Sequence, residues 1–209
     1  MNYSELTTAI EDTTENTFEA TQLATFVQQA EQFIYNTVQI PALRKTASGS
    51  LTSGTASFDL PADYLYTYSF AVIDGDSTYH YLLNKDVNFI REAYPTVAAT
   101  ALPKHYAQLD VDSFIVGPTP DASYATELHY GYYPESIVTA GSSWLGDNFD
   151  TALFNSSLVE AAKFMKSDQD IIQLYTKQRD EAVMLLKGLG DGKLRQDTYR
   201  SGQNRASIP

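Results

Sequence analysis

The stretch Asp150 to Lys187, DTALFNSSLVEAAKFMKSDQDIIQLYTKQRDEAVMLLK, carries the longest sustained helical signal in the chain. Apolar residues recur at Phe154, Leu158, Ala161 and Met165. After the polar break Ser167-Asp168-Gln169-Asp170 they recur at Ile171, Leu174, Tyr175, Ala182, Leu185 and Leu186. Spacings of three, four and seven place one apolar stripe on each of two helices. So short a break leaves a kinked continuation or a hairpin; the hairpin is favoured, with Asp168 as N-cap of the second helix. Gly188 and Gly190 are expected to stop that helix, since glycine takes the left-handed C′ conformation without steric cost. Residues 191–209 have no period.

The beginning of the chain repeats the helical pattern. A short helix is expected from Ser4 to about Thr13, with Leu6 and Ile10 on one face and Ser4 as candidate N-cap. A longer one runs from about Glu19 to Val38, where Leu23, Phe26, Val27, Ala30, Phe33, Ile34 and Val38 recur; Asn16 or Thr17 is its candidate cap and Pro41 ends it. With the C-terminal pair this makes four helical pieces, enough for an antiparallel bundle drawn from both ends of the chain.

The middle, from Ala47 to about Ser143, changes to tyrosine, threonine, valine and phenylalanine at period two, and is read as a β insertion. Leu51-Thr52-Ser53-Gly54-Thr55 reads as a hairpin tip, with Ala56, Phe58 and Leu60 alternating after it until Pro61-Ala62-Asp63. Tyr64, Tyr66, Tyr68 and Phe70 then share one face of a strand that turns at Asp74-Gly75-Asp76 and returns through Tyr79 and Tyr81. A helix over Lys85–Tyr94, capped by Asn84, follows. Three further strands are expected at His105–Leu109, Phe114–Val116 and Tyr124–Tyr133, the last two separated by Gly117-Pro118-Thr119-Pro120-Asp121. The fold class is therefore α+β: an antiparallel helical bundle from the two ends, a tyrosine-rich antiparallel β insertion and an extended C-terminal tail. The segments are 1–46, 47–143, 144–190 and 191–209.

Composition closes off several functions. The chain has 209 residues, no cysteine and a net charge of −12, so thiolate chemistry, disulfides and cysteine metal sites are excluded. No apolar run approaches the ~20 residues needed to cross a bilayer. The first residues lack a basic-then-apolar export pattern, so the chain is expected to be unexported. Charge is uneven: residues 193–209 hold Lys193, Arg195, Arg200 and Arg205 against Asp197, a net of +3. The rest, with ten basic and 25 acidic residues, carries −15. No basic residue precedes Arg44. Such a body should repel DNA, because affinity for phosphates comes largely from lysine and arginine displacing counterions.

Catalytic patterns are missing. His80, His105 and His129 stand singly in strand-like segments and read as packing or surface residues. Asp74, Asp76, Asp110 and Asp112 lie in turns without the closing glutamate of a calcium loop. No catalytic residue, metal site or cofactor is assigned. Tyr64, Tyr66, Tyr68, Tyr130, Tyr132 and Tyr133 are candidates for an aromatic platform or an interface with subunits or tail partners; the plainer reading is that they cover a half-buried sheet. The polar tail reads either as a frayed end or as a docking peptide, with Leu194, Tyr199 and Ile208 as apolar anchors between arginines.

The order of these elements resembles the head-to-tail adaptor proteins of tailed bacteriophages. The resemblance is carried by Phe58-Asp59-Leu60-Pro61-Ala62-Asp63-Tyr64-Leu65, by Phe114-Ile115-Val116-Gly117-Pro118-Thr119-Pro120 and by Leu128-His129-Tyr130-Gly131-Tyr132-Tyr133-Pro134. Trp144-Leu145 ahead of Leu158-Val159-Glu160-Ala161-Ala162, and Phe26-Val27-Gln28-Gln29-Ala30-Glu31 in the first long helix, add to it. It implies a non-enzymatic virion protein of the neck, a homo-oligomeric ring of twelve copies beneath the portal protein, through which DNA passes without sequence-specific binding. It implies a bundle against the portal and a β insertion facing other tail or nozzle proteins or neighbouring copies. Carried over to this chain, the portal-binding candidates are Lys193, Leu194, Arg195, Tyr199, Arg200 and Arg205, with Ile208 as terminal anchor; no cofactor and no membrane is implied. The competing reading is a non-enzymatic carbohydrate- or receptor-binding module using the tyrosine face.

Overall fold

The computed structural model describes residues 1–194, with side chains to residue 189. The protein is mixed α+β and divides into two compact units, one of residues 1–43 with the chain from Pro134 onward, the other of residues 44–133.

In the first unit, α1 (Tyr3–Thr14) buries Leu6 and Ile10. Its cap is Asn2 rather than Ser4: the Asn2 side chain accepts from the Glu5 N–H at 2.9 Å and the Glu5 carboxylate accepts from the Asn2 N–H at 2.9 Å. That reciprocal pair satisfies two otherwise orphaned donors, which a serine two residues later cannot do in this frame. α2 (Ala20–Thr37) starts after Glu19, not Asn16 or Thr17, and the Glu19 N–H is held by Gln22 Oε1 at 3.0 Å. Its periodic residues Leu23, Phe26, Val27, Ala30 and Ile34 are buried.

Two short helices, α4 (Ile137–Ala140) and α5 (Trp144–Asn148), precede α6 (Asp150–Met165). Lys166 takes a left-handed conformation at φ 54°, and α7 (Gln169–Leu194) folds back on α6 as the hairpin reading expects. Asp168 stands at the start of α7, its carbonyl accepting from Ile171 and Ile172. α1, α2 and α7 all pack on α6, so α6 is buried around more of its circumference than one stripe allows. Ala152, Leu153, Ser156, Ser157, Leu158, Val159, Ala161 and Ala162 are buried, whereas Phe154 and Met165 lie at the margin. The two serine hydroxyls donate to the carbonyls four residues back, at 2.7 and 2.8 Å, which lets polar residues sit in this interior.

Two expectations for α7 fail. Gly188 and Gly190 do not stop it: the helix continues to Leu194, and Gly188 has no left-handed φ. Glycine permits a left-handed cap without requiring one, and no proline follows before Pro209. The apolar stripe is also only partly covered. Ala182, Val183 and Leu186 are buried, but Ile171, Leu174, Met184 and Leu185 are exposed.

In the second unit, β1 (Arg44–Leu51), β3 (Tyr66–Ile73), β4 (Tyr79–Tyr81) and β8 (Tyr124–Gly131) form an antiparallel sheet ordered β1-β8-β3-β4. The second sheet is ordered β2-β7-β6-β5, from β2 (Ser57–Asp59), β7 (Ser113–Gly117), β6 (His105–Gln108) and β5 (Leu83–Asn84), the last running parallel to β6. The core joins both sheets through Phe58, Phe70, Tyr106 and Phe114, with ring centroids 4.8–5.7 Å apart in the cross-sheet pairs made by Phe70. α3 (Val87–Ala93) packs on β6 and β7 and is capped by Asp86, whose carboxylate accepts from Asn88, not by Asn84, which belongs to β5.

The stretch Leu51–Thr55 turns but makes no hairpin. β1 pairs with β8 and β2 with β7, so the chain changes sheets at this turn. The local signal, Gly54 at φ 77°, specifies a reversal but not which strand lies alongside.

Candidate functional site

Cross-strand partners share a face, so the registers define what the first sheet presents on the side away from its core. One row is Arg44, Gly131 and Tyr66; the next is Thr46, His129 and Ser69; then Ser48, Glu127, Ala71 and Tyr81; then Ser50, Ala125, Ile73 and Tyr79. Leu128, Tyr130, Phe70 and Val72 occupy the opposite, buried face.

The expectation that Tyr64, Tyr66, Tyr68 and Phe70 share one face is overturned by a β-bulge. Thr67 pairs with Tyr130 and Ser69 with His129, leaving Tyr68 as an extra residue. An extra residue reverses the alternation, so Tyr66 and Tyr68 turn outward while Phe70 stays in the core. Tyr64 precedes the strand and packs inward, its ring 5.6 Å from Phe114 and its hydroxyl 2.9 Å from Thr67 Oγ1.

Outside, Tyr66 and Tyr68 stand edge to face at 5.3 Å with their hydroxyls 3.1 Å apart. The Arg44 guanidinium lies 4.3 Å from the centre of the Tyr68 ring, and His129 is 5.6 Å from that ring on its other contact, with Nδ1 2.9 Å from Thr46 Oγ1. Tyr66 covers Gly131: a Cβ built there would lie 2.4 Å from the ring, so only glycine admits this placement. Burial and the Tyr68 hydroxyl push the Tyr66 phenol up to about 12. Tyr79 and Tyr81 add a stacked pair at 6.4 Å further along the face.

Beneath lies a polar support. Tyr130 is 1% exposed and its hydroxyl donates to Asp63 Oδ1 at 2.8 Å, while Lys45 Nζ meets Asp63 Oδ2 at 2.7 Å. The Lys45 hydrogen bond holds the Asp63 carboxyl below its ordinary range, against the opposing effect of burial. Burial, then Asp63, raises the Tyr130 phenol. Lys45 also lies 5.2 Å from the half-buried Tyr132 ring.

Of the six tyrosines singled out in the sequence, Tyr66, Tyr68 and Tyr133 therefore reach the surface, and Tyr64 and Tyr130 belong to the interior. Arg44, His129, Tyr79 and Tyr81 were missed as parts of this face. Their signal was cross-strand register, which depends on the bulge and on which strands pair. The histidines lie apart: His80 is 2.7 Å from Asp74, and His105 lies against Phe89 and Tyr94. Among the described residues no group of three or more metal-ligating side chains assembles, and no helix is long and apolar enough to cross a membrane. Arg195, Tyr199, Arg200, Arg205 and Ile208 lie outside the described residues; Lys193 and Leu194 fall in the last turn of α7, beyond the described side chains.

The first sheet thus presents stacked rings and a guanidinium seated on an aromatic face, and α7, in the other unit, presents exposed aliphatics of its own; each is suited to contact with other macromolecules. A search of curated proteins finds no match. The family model described as SU10 adaptor protein matches residues 1–207, nearly the whole chain and both of its units. The chain therefore belongs to the SU10 adaptor protein family, and is a phage structural protein of the adaptor class.

Proposed function

We propose that the protein is the head-to-tail adaptor of a tailed phage, a twelve-subunit ring that docks beneath the portal, extends the DNA channel and carries the tail components. The observation that carries this reading is the family match, because it covers the helices, the β unit and the C-terminal segment together. The helices form an antiparallel bundle against the portal. The segment after Gly190 reaches along portal subunits, with Lys193, Leu194, Arg195, Tyr199, Arg200, Arg205 and Ile208 as contacts.

The physical fit is threefold. A body of −15 lining a channel repels the duplex and lets it slide. The aliphatic side chains Ile171, Leu174, Met184 and Leu185, exposed on α7, supply apolar area that a neighbour or portal can cover. Tyr66, Tyr68 and Tyr133 face the neighbouring subunit or the next tail or nozzle protein, supported from beneath by Tyr64, Tyr130 and Tyr132. Ring, portal contact and virion neck location stand together: a subunit that assembles only on the portal is placed between head and tail.

The test is light scattering of the full-length protein and of a version ending at Leu194, each alone and mixed with portal protein. Ending at Leu194 keeps every described residue of α7. Conversion of only the full-length protein to a portal-bound ring supports the reading. Equal binding by both overturns the role of the C-terminal segment, and binding by neither, with a soluble glycan bound instead, favours a carbohydrate-binding module.

A further inference from the structure

β1 is an edge strand of eight residues, and its unpaired side is open. In an antiparallel ladder, backbone groups point alternately to one neighbour and the other. The Leu82 N–H to Phe70 carbonyl bond and the Asp74 N–H to Thr78 carbonyl bond fix this phase for the whole sheet. Phe70, Val72 and Asp74 turn to β4; Ser69, Ala71 and Ile73 therefore turn to β8, and Lys45, Ala47, Gly49 and Leu51 receive the other side of β8. The N–H and C=O groups of Arg44, Thr46, Ser48 and Ser50 are left pointing outward. On the opposite edge, Tyr79 and Tyr81 of β4 likewise point away from β3.

Soluble proteins blunt such edges with charge, proline or brevity. Here Ser48-Gly49-Ser50 is exposed and uncharged, while the two cations of the strand are engaged, Arg44 on Tyr68 and Lys45 on Asp63. A groove of about 430 Å³ runs beside it, lined by Ser48, Gly49, Ser50, Ser57 and Asp59 among others.

We propose that this edge is filled by β4 of a second copy of the chain, so that the four-stranded sheets join head to tail. Strand polarity selects this occupant. With four antiparallel strands the two edges run in opposite directions, so a neighbour in the same orientation presents β4 antiparallel to β1. Register selects the pairing. Tyr79 shares a row with Ser50 and Tyr81 with Ser48, all four carry outward backbone groups, and all four side chains lie on the same face. Joined straight across, Ser50 pairs with Tyr79 of the next copy and Ser48 with Tyr81, small residues beside large ones, through four backbone hydrogen bonds. The joint is heterologous, the kind that closes a ring. It rests on the ring reading above and names the contact that makes it.

The chain has no cysteine, so the pairing can be trapped. Within one copy Ser48 and Tyr81 sit at opposite edges, about 14 Å apart across three strand spacings, beyond the ~7 Å reach of a disulfide. The full-length double variant Ser48→Cys/Tyr81→Cys is mixed with portal protein, oxidised and run on a non-reducing gel, with light scattering on the same sample. A ladder of covalent multimers is expected, with neither single variant giving more than monomer. Ser48→Pro, which removes an outward N–H and leaves the β8 ladder whole, should keep the far-UV spectrum and lose ring assembly. Portal-bound particles without a ladder overturn the strand joint alone. A dimer from Ser48→Cys by itself overturns it in favour of a two-fold β1 edge. Neither particles nor ladder overturns both readings, and a ladder without portal-bound particles keeps the joint while removing the portal role.

Discussion

Glu31 offers the sharpest test of how the helical unit is held together. It projects from α2, is 3% exposed, and its Oε1 accepts from the Ile137 N–H at 2.9 Å, the first N–H of α4. Ile137 is itself fully buried, and the Ser136 hydroxyl is a second donor to the carboxylate. Glu31→Ala strands that N–H without water, at about 1–3 kcal/mol. It also removes buried methylene area, at about 0.8 kcal/mol per group. Together these give about 2–4 kcal/mol, or a fall of roughly 5–15 °C in the midpoint of a domain this size. Glu31→Gln keeps an acceptor oxygen and should lose under ~1 kcal/mol at neutral pH.

The two variants also separate by pH. Burial raises the Glu31 carboxyl above its ordinary value, outweighing the hydrogen bonds that lower it. A carboxyl with a raised folded-state pKa contributes stability that is present below its unfolded value and lost as pH rises through the folded one. The wild type should therefore lose ground against Glu31→Gln as pH rises above the ordinary carboxylate range. Urea melts followed at 222 nm at several pH values measure both effects. The reasoning is refuted if Glu31→Ala lies within 0.5 kcal/mol of wild type, or if Gln is as damaging as Ala.

Gly188→Ala should stabilise α7 by about 0.5–1 kcal/mol, because the position is helical with open space for a Cβ; destabilisation in a thermal melt would restore the left-handed cap. Gly131→Ala should destabilise the β unit by about 1–3 kcal/mol by driving a methyl into the Tyr66 ring, and should return the Tyr66 phenol from about 12 towards 10 in a spectrophotometric titration compared with Tyr66→Phe. Tyr130→Phe removes the 2.8 Å bond to Asp63 and should lose about 1 kcal/mol in urea melts at pH 7, less for a site that Lys45 still partners.

Regular periodicity was legible in the sequence where one neighbour covers one face. Leu23, Phe26, Val27, Ala30 and Ile34 of α2 are buried as their spacing requires, and the Asp74-Gly75-Asp76 turn and the β7 and β8 strands fall where alternation puts them. α6 was harder, because three helices surround it and serines satisfied by their own backbone do not read as core. The bulge at Tyr68 was invisible, since one unpaired residue leaves the residue types unchanged while reversing every face before it. The outer aromatic face shared that fate: Arg44, His129 and Tyr66 are 85 positions apart at most in sequence but adjacent through register alone. Asn2 with Glu5, by contrast, is a capping pair that spacing could have found.

The central claim is that this chain builds a ring on the portal. Native mass spectrometry of the 23.2 kDa protein, first alone and then with portal protein, tests it most directly. The account predicts a monomer alone and, on mixing, a portal complex heavier by twelve copies. A protein that stays at its monomer mass beside the portal, or that forms the same closed ring without it, would contradict the account.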